Sequence, residues 1–230
     1  MIKAIFFDFN GVIIDDEMLQ MKAYEEVLRD HGIALTKELY FSALGMDDIT
    51  FLRSMFERAN KPLSEKVLAA AQSKKTDLHR KMIEDQLPLF PGVVTFLKAA
   101  AREFSLGLVS MASTAEISYV LERANLTKLF SVFVMAGDVP VCKPAPDCYR
   151  SAMEKLNEKL SKERLLPVLA SECLAIEDSP PGIESARGAG MRTLGITNTV
   201  SESELRAAGA NVVTPSLADW TADAVKLVYL

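Results

Sequence analysis

From about residue 92 to the C-terminus, short apolar runs alternate with amphipathic stretches, and nothing else in the chain constrains its fold as tightly. Residues 106–109, 132–135, 174–176, 193–196 and 212–213 read as strands, and segments near 115–125, 146–160, 181–190 and 201–208 read as helices. Pro91 suits the first turn of a further helix reaching Ala101, and Ser201 with Glu204 forms a capping-box pattern. One more run, Ile5-Phe6-Phe7, stands near the N-terminus and stops abruptly at Asp8. Continuous apolar runs suit parallel strands buried on both faces. Alternating strands and helices then imply an α/β fold, a doubly wound, Rossmann-like parallel sheet with helices on both sides.

Between the first run and residue 86 no good strand occurs, and the pattern turns helical. Leu19, Ala23 and Val27 recur at four-residue spacing until Gly32 stops the helix. Ser64 can cap another helix, whose stripe runs Leu68, Ala71, Lys75, Leu78, Met82. One cation, Lys75, sits on that otherwise apolar seam and is expected to face inward. The division that follows is an α/β core of residues 1–14 and 87–230, with an inserted α-helical cap domain at 15–86. The crossings near 13–17 and 86–91 are the natural hinges.

A chain of 230 residues with 49% hydrophobic and 25% charged residues has the balance of a soluble globular protein. The net charge of −5 argues against a nucleic-acid footprint or a polybasic membrane surface. No apolar stretch approaches the roughly 20 residues of a membrane span. Asp8 interrupts the first apolar run too early for a signal peptide. Three cysteines without a framework pattern are expected to be reduced thiols, which points to the cytoplasm. With only two histidines a multi-histidine metal site is excluded, so any metal would take oxygen ligands, which suits Mg²⁺.

Four polar clusters fall at predicted carboxyl ends of strands, where open α/β sheets bind ligands. The first is Asp8-Phe9-Asn10-Gly11; a carboxylate there can attack phosphorus and divide a hard step into two easier ones. The second is Ser110 with Met111, whose hydroxyl and backbone N–H can bind a phosphoryl oxygen. The third is Lys143, between Cys142 and Pro144 and stiffened by Pro144 and Pro146, a positioned charge able to neutralise carboxylate and phosphate together. The fourth is Glu177-Asp178, adjacent acids that repel unless a cation stands near. Singly, each also fits an ordinary role: a turn-forming acid, a helix-capping serine, a solvated loop lysine.

Taken in order, the clusters resemble the four motifs of the haloacid dehalogenase-like (HAD) hydrolases. IEDSPPGIESARGAGM, from Ile176 to Met191, resembles the fourth motif, and KPAPDCY resembles the third. The likeness spans the whole chain and is greatest to the β-phosphoglucomutase-like branch, which has a small helical cap inserted after the first strand. It implies Asp8 as nucleophile and Mg²⁺ ligand, Ser110 and Met111 as phosphate binders, Lys143 as charge balance, and Glu177 and Asp178 as metal ligands. It implies further that Asn10 ligates Mg²⁺ through its carbonyl but stands where the family has a proton-transferring aspartate. In the cap, Gly45 and Lys75 match substrate-binding positions, whereas Gln20 and Asp48 replace a histidine and an arginine of the mutase. The expectation is a phosphatase acting on a small, sugar-phosphate-like metabolite, monomeric by default. A sugar-phosphate mutase and a low-turnover protein binding Mg²⁺ and a phosphometabolite are the alternatives.

Overall fold

The structure is a computed structural model that describes all residues 1–230. Six strands form one parallel sheet: β1 (Ala4–Phe7), β2 (Ser105–Val109), β3 (Val132–Val134), β4 (Cys173–Glu177), β5 (Arg192–Ile196) and β6 (Val212–Thr214). Their order is β3-β2-β1-β4-β5-β6, so the N-terminal strand is central and the chain winds outward on both sides of it. This is the doubly wound α/β architecture that the alternation of runs implies. Register pairs Phe7 with Leu108 on one side and with Ile176 on the other. The residues just beyond these three therefore emerge at one level of the sheet edge.

Alternation within β1 divides the core. Ile5 and Phe7 face one side, where they join Phe96, Leu97, Leu108 and Val120; Ala4 and Phe6 face the other, with Val109, Tyr149 and Leu156. The first layer includes α5 (Val93–Ala100) and α6 (Thr114–Arg123), and the second α7 (Asp147–Lys162) and α8 (Pro180–Gly188). A short α9 (Glu202–Ala207) packs near β5 and β6, and α10 (Ala222–Val228) closes the chain. No helix is long and apolar enough to cross a membrane.

Between β1 and α5 lie α1 (Glu17–Arg29), α2 (Lys37–Phe41), α3 (Asp48–Arg58) and α4 (Glu65–Met82), packed around their own apolar cluster of Tyr24, Leu28, Phe51, Leu52, Phe56 and Leu68. Ser64 caps α4 by accepting from the Val67 N–H. The two crossings into this helical layer run side by side. The Asp15 N–H donates to the Pro88 carbonyl at 2.7 Å and the Phe90 N–H to that of Ile13 at 3.1 Å.

Two local expectations change. Pro91 lies outside α5, which is instead opened by Gly92 in the left-handed region at φ 79°; a Cβ there would stand 2.5 Å from Ala218 Cα. The buried stripe of α4 is Leu68, Ala71, Lys75 and His79, while Met82 is exposed, because the face turned to the rest of the protein drifts by one position along the helix. Helices α2, α3 and α10 were not singled out by periodicity.

Phe7 is fully buried, with edge-on contacts to Phe96 and Phe130. Phe7→Ala is expected to lower stability by about 3–5 kcal/mol, read from urea unfolding; a loss below about 1 kcal/mol would show that the site collapses around the truncation.

Candidate active site

Asp8 is the first residue past β1 and Asp178 the first past β4, while Glu177 is the last residue of β4. Ligand oxygens of the three carboxylates lie within 4.8 Å of one another. Gly11, at φ 72°, makes this close approach possible, since a Cβ there would overlap the Asp178 carboxylate at 1.8 Å. Into this group reaches Lys143, from the loop joining β3 to α7. Its Nζ donates to Asp8 Oδ1 at 2.8 Å, Glu177 Oε1 at 2.6 Å and the Val109 carbonyl at 3.2 Å, which accounts for all three of its hydrogens. Glu177 also accepts from the Tyr149 hydroxyl at 2.6 Å and from Ser179. It lies fully buried beneath the cluster and holds Lys143 in place.

Burial pushes the Asp8 carboxyl up to about 7, with Lys143 opposing and Glu177 adding to the rise. Asp178 is driven well above the usual carboxylate range, first by burial and then by Asp8 and Glu177, although Thr199 donates a hydrogen bond to it. Burial works against a charge on Lys143, but Asp8 and Glu177 outweigh it and hold the ammonium above its ordinary pKa. One cation thus faces three acids. Asn10 lines the same cavity, and its carbonyl accepts no backbone hydrogen bond. All the donors of this set are oxygens, as a hard divalent ion such as Mg²⁺ requires.

Ser110 follows β2 and is buried. It does not cap α6: Ser113 does, in a capping box with Glu116. Ser110 therefore keeps its hydroxyl on the cavity, where its oxygen accepts from the Ala112 N–H at 3.1 Å. The Met111 and Asn10 N–H groups make no hydrogen bond within the chain and remain available to an anion.

These residues border one cavity of about 90 Å³ between the sheet edge and the helical layer, shared by Asp8, Asn10, Gly45, Lys75, Ser110, Met111, Lys143 and Asp178. Of the residues singled out from sequence, only Glu177 lies behind the wall. Gly45 sits between α2 and α3, against Lys143 and Pro181. Lys75 is buried and doubly paired, to Asp48 at 2.9 Å and to Glu116 of α6 at 2.8 Å. Burial alone would lower its pKa, but the two acids raise it above the ordinary lysine value.

Periodicity and motif reading missed a second buried network. Asp16, with no exposure, accepts from Asn10 Nδ2 at 3.0 Å on both oxygens and from Gln20 at 3.0 Å, and its Oδ2 lies 2.8 Å from His79 Nε2. Glu17, beside it, lines the cavity and accepts from the Tyr40 hydroxyl at 2.6 Å. Burial, helped by Asp16, pushes the Glu17 carboxyl up to about 7 against that hydrogen bond. The available signals were the paired acids at 16–17 following the first motif, and His79 one turn after Lys75 on the same helix face.

Comparison with known proteins agrees with this architecture. Residues 2–190 match the haloacid dehalogenase-like hydrolase family. A Bacillus subtilis protein named for phosphatase activity is 31% identical, covering 87% of this chain and 86% of its own. The phosphorylated carbohydrates phosphatase of Thermotoga maritima is 26% identical, covering 93% and 94%. The crystal structure of β-phosphoglucomutase from Clostridium difficile superposes with a TM-score of 0.85 at 24% identity, over 100% of this chain and 97% of that one. The chain is an enzyme of the haloacid dehalogenase-like hydrolase family, with the α/β fold of the β-phosphoglucomutase structures.

The raised Glu17 carboxyl makes a pH prediction. The folded protein holds a proton on Glu17 up to about 7, whereas the unfolded chain releases it near 4.5, the ordinary range of a glutamate. Glu17 therefore favours the folded state at low pH, and that contribution is lost as pH rises from 4.5 through 7. Thermal midpoints in EDTA should fall across that window, and Glu17→Gln should flatten part of the fall; an unchanged slope in the variant would contradict the assignment.

Proposed function

We propose that the chain is a Mg²⁺-dependent phosphatase for a small, sugar-phosphate-like metabolite, with Asp8 as nucleophile and Asn10 limiting its turnover. The class is that of a phosphoric monoester hydrolase, and relatives named as phosphatases, one of them for phosphorylated carbohydrates, support it. The observation that carries the reading is the convergence on Asp8 of groups from four separated segments: Lys143, Ser110 with the Met111 N–H, Asp178, and the Asn10 N–H and carbonyl.

In this reading Asp8 Oδ attacks phosphorus, the bond from phosphorus to the ester oxygen breaks, and an aspartyl-phosphate forms. Water then attacks that phosphorus, releases inorganic phosphate and restores the carboxylate. Ser110 and the free N–H groups of Asn10 and Met111 hold the phosphoryl oxygens, and Lys143 keeps Asp8 oriented and ionised. Asp8, Asp178, the Asn10 carbonyl and, from beneath, Glu177 are the donors for Mg²⁺. The ion, when bound, would offset the charge shared by phosphate and carboxylates.

Two proton transfers remain: one to the departing ester oxygen and one from the attacking water. Asn10 cannot make either, because an amide neither gives up nor takes a proton near neutrality, and its Nδ2 hydrogens are already given to Asp16. General acid–base catalysis is worth roughly 10²–10⁴-fold. Good leaving groups, such as acyl or aryl phosphates, need least help and should turn over best. The same feature favours a second reading, a protein that binds Mg²⁺ and a phosphometabolite with little turnover. The free thiols and net charge of −5 suit a cytoplasmic setting for either.

Asn10→Asp is expected to raise phosphate release by roughly 10²-fold or more, and Asp8→Ala to abolish it, in a phosphoester panel run with Mg²⁺ and with EDTA. Equal rates in the chain and in Asn10→Asp would show that protons move by another route. Mg²⁺ should also raise the thermal midpoint of the chain but not that of Asp178→Asn; an unchanged Mg²⁺ response in that variant would remove Asp178 from the ligand set.

A further inference from the structure

With an amide at position 10, both proton transfers of the hydrolysis fall to some other group on the cavity wall. Asp8 is the nucleophile, and Asp178 stands in the ligand set. Lys75 and Lys143 are held above the ordinary lysine range by the acids paired with them, so neither gives up a proton near neutrality. Burial drives the Tyr24 and Tyr40 hydroxyls well above their usual range, and each already donates to a carboxylate, Asp48 and Glu17 respectively. Asp48 is ion-paired with Lys75 at 2.9 Å through Oδ1, and its other oxygen is closed to water. The titratable wall group that is left is Glu17.

The loop after β1 places Glu17. The chain there turns back on itself, the Gly11 N–H donating to the Ile14 carbonyl at 2.9 Å. Asp16 then holds the Asn10 amide on both oxygens at 3.0 Å, and Glu17, the next residue, opens α1 at the cavity wall. Its Oε2 accepts from the Tyr40 hydroxyl at 2.6 Å, which fixes the carboxyl, while Oε1 has no partner in the chain. The buried side-chain atoms without a partner are Gln20 Oε1 and Asp48 Oδ2 alone, so the bare oxygen of Glu17 is one that water reaches. A carboxyl fixed at one oxygen and wet at the other can exchange its proton with solvent between turnovers.

Asp16 beside it, Tyr40 from α2, Asp8 from the end of β1 and Lys75 from α4 all act on this carboxyl. Burial and then Asp16 lead in raising it to about 7, and Asp8 adds to the rise, while Tyr40 and Lys75 oppose it. The contribution of Asp8 also puts the two carboxyls within electrostatic reach of each other. A carboxyl that titrates near neutrality is present there both as acid and as base, as proton transfer in both directions requires.

We propose that Glu17 is the proton carrier of this site, acting in place of an acidic side chain at position 10. As the bond from Asp8 Oδ to phosphorus forms and the ester bond breaks, Glu17 gives its proton to the departing oxygen, which leaves as an alcohol. The resulting carboxylate takes a proton from the water that attacks the aspartyl-phosphate. Inorganic phosphate leaves, the Asp8 carboxylate is restored and Glu17 ends protonated. The proposal rests on the phosphatase reading and adds to it a route for the protons with Asn10 in place.

The test is kcat/KM for ethyl phosphate and acetyl phosphate, with Mg²⁺, in the chain and in Glu17→Gln, each also on the Asn10→Asp background. The two substrates are alike in size and neither has a hydroxyl for Glu17 to bind, but ethoxide needs a proton to leave and acetate does not. Because kcat/KM covers the steps through departure of the leaving group, Glu17→Gln should lower it by roughly tenfold or more for ethyl phosphate and by less than about threefold for acetyl phosphate. The ethyl phosphate rate should fall as pH rises through about 7, where Glu17 loses its proton. That fall should vanish in Glu17→Gln and move to higher pH in Tyr40→Phe, which removes the hydrogen bond that opposes the rise. On the Asn10→Asp background the loss on ethyl phosphate should shrink below about threefold, because a second carrier is then present. Equal losses on both substrates, no loss on ethyl phosphate, or an undiminished loss on the Asn10→Asp background would overturn the proposal. Where Glu17→Gln does not fold, Tyr40→Phe decides, and an unmoved pH limit overturns it. If ethyl phosphate is cleaved only on the Asn10→Asp background, the phosphatase reading stands and Glu17 is not the carrier; if neither substrate is cleaved on either background, both fall.

Discussion

Three carboxylates at the ends of two adjacent central strands, held against a single buried ammonium, are the constraint around which the site is built. Asp8, Glu177 and Asp178 would repel one another in a low-dielectric setting. Lys143 bonds two of them, and the third keeps a proton or takes a cation. The arrangement depends on β1 lying at the centre of the sheet between β2 and β4, because only there do loops from both winding halves meet. It depends equally on Gly11, since any side chain at that position would displace the Asp178 carboxylate.

A second ionic network ties the helical layer to the core. Lys75 of α4 bonds Glu116 of α6, and His79, one turn further on, meets Asp16 at the mouth of α1. Buried pairs of this kind add little net stability, because the cost of removing charges from water offsets their attraction. They do penalise misalignment, since a displaced partner leaves an unpaired charge. Through Asp16 the network also reaches Asn10, and so joins the loop after β1 to the helical layer.

Most of the α/β framework was legible from the pattern of residues. Each strand read from an apolar run is present within a residue or two of its expected ends, because a strand buried on both faces announces itself locally by composition. The helices α6 to α9 likewise lie within two residues of the spans read for them, α9 with the capping box that Ser201 and Glu204 announced. Pro91 and Met82 were misjudged for a common reason: both belong to segments whose orientation is set by what they pack on. The start of α5 is set by the close approach of Gly92 to Ala218, and the inward face of α4 by Glu116 and Asp16. Helix α10 carries a short, weak pattern and is held by packing against α5.

The sequence by itself determined the sheet, the place of the helical insertion and which chemical groups stand at the strand ends. These follow from periodicity, glycine and proline placement, and motif order, all of which act over a few residues. Tertiary structure alone decided how those groups are used. Lys75 reads as an inward-facing cation, yet it is bonded to acids 27 and 41 residues away in the chain. Asp16 and His79, 63 residues apart, carry no local signal of their pairing. The physical reason is that hydrogen-bond satisfaction is a property of packed surfaces. Which donors are committed, and which acceptors stay bare, is settled only when the helical layer closes on the sheet.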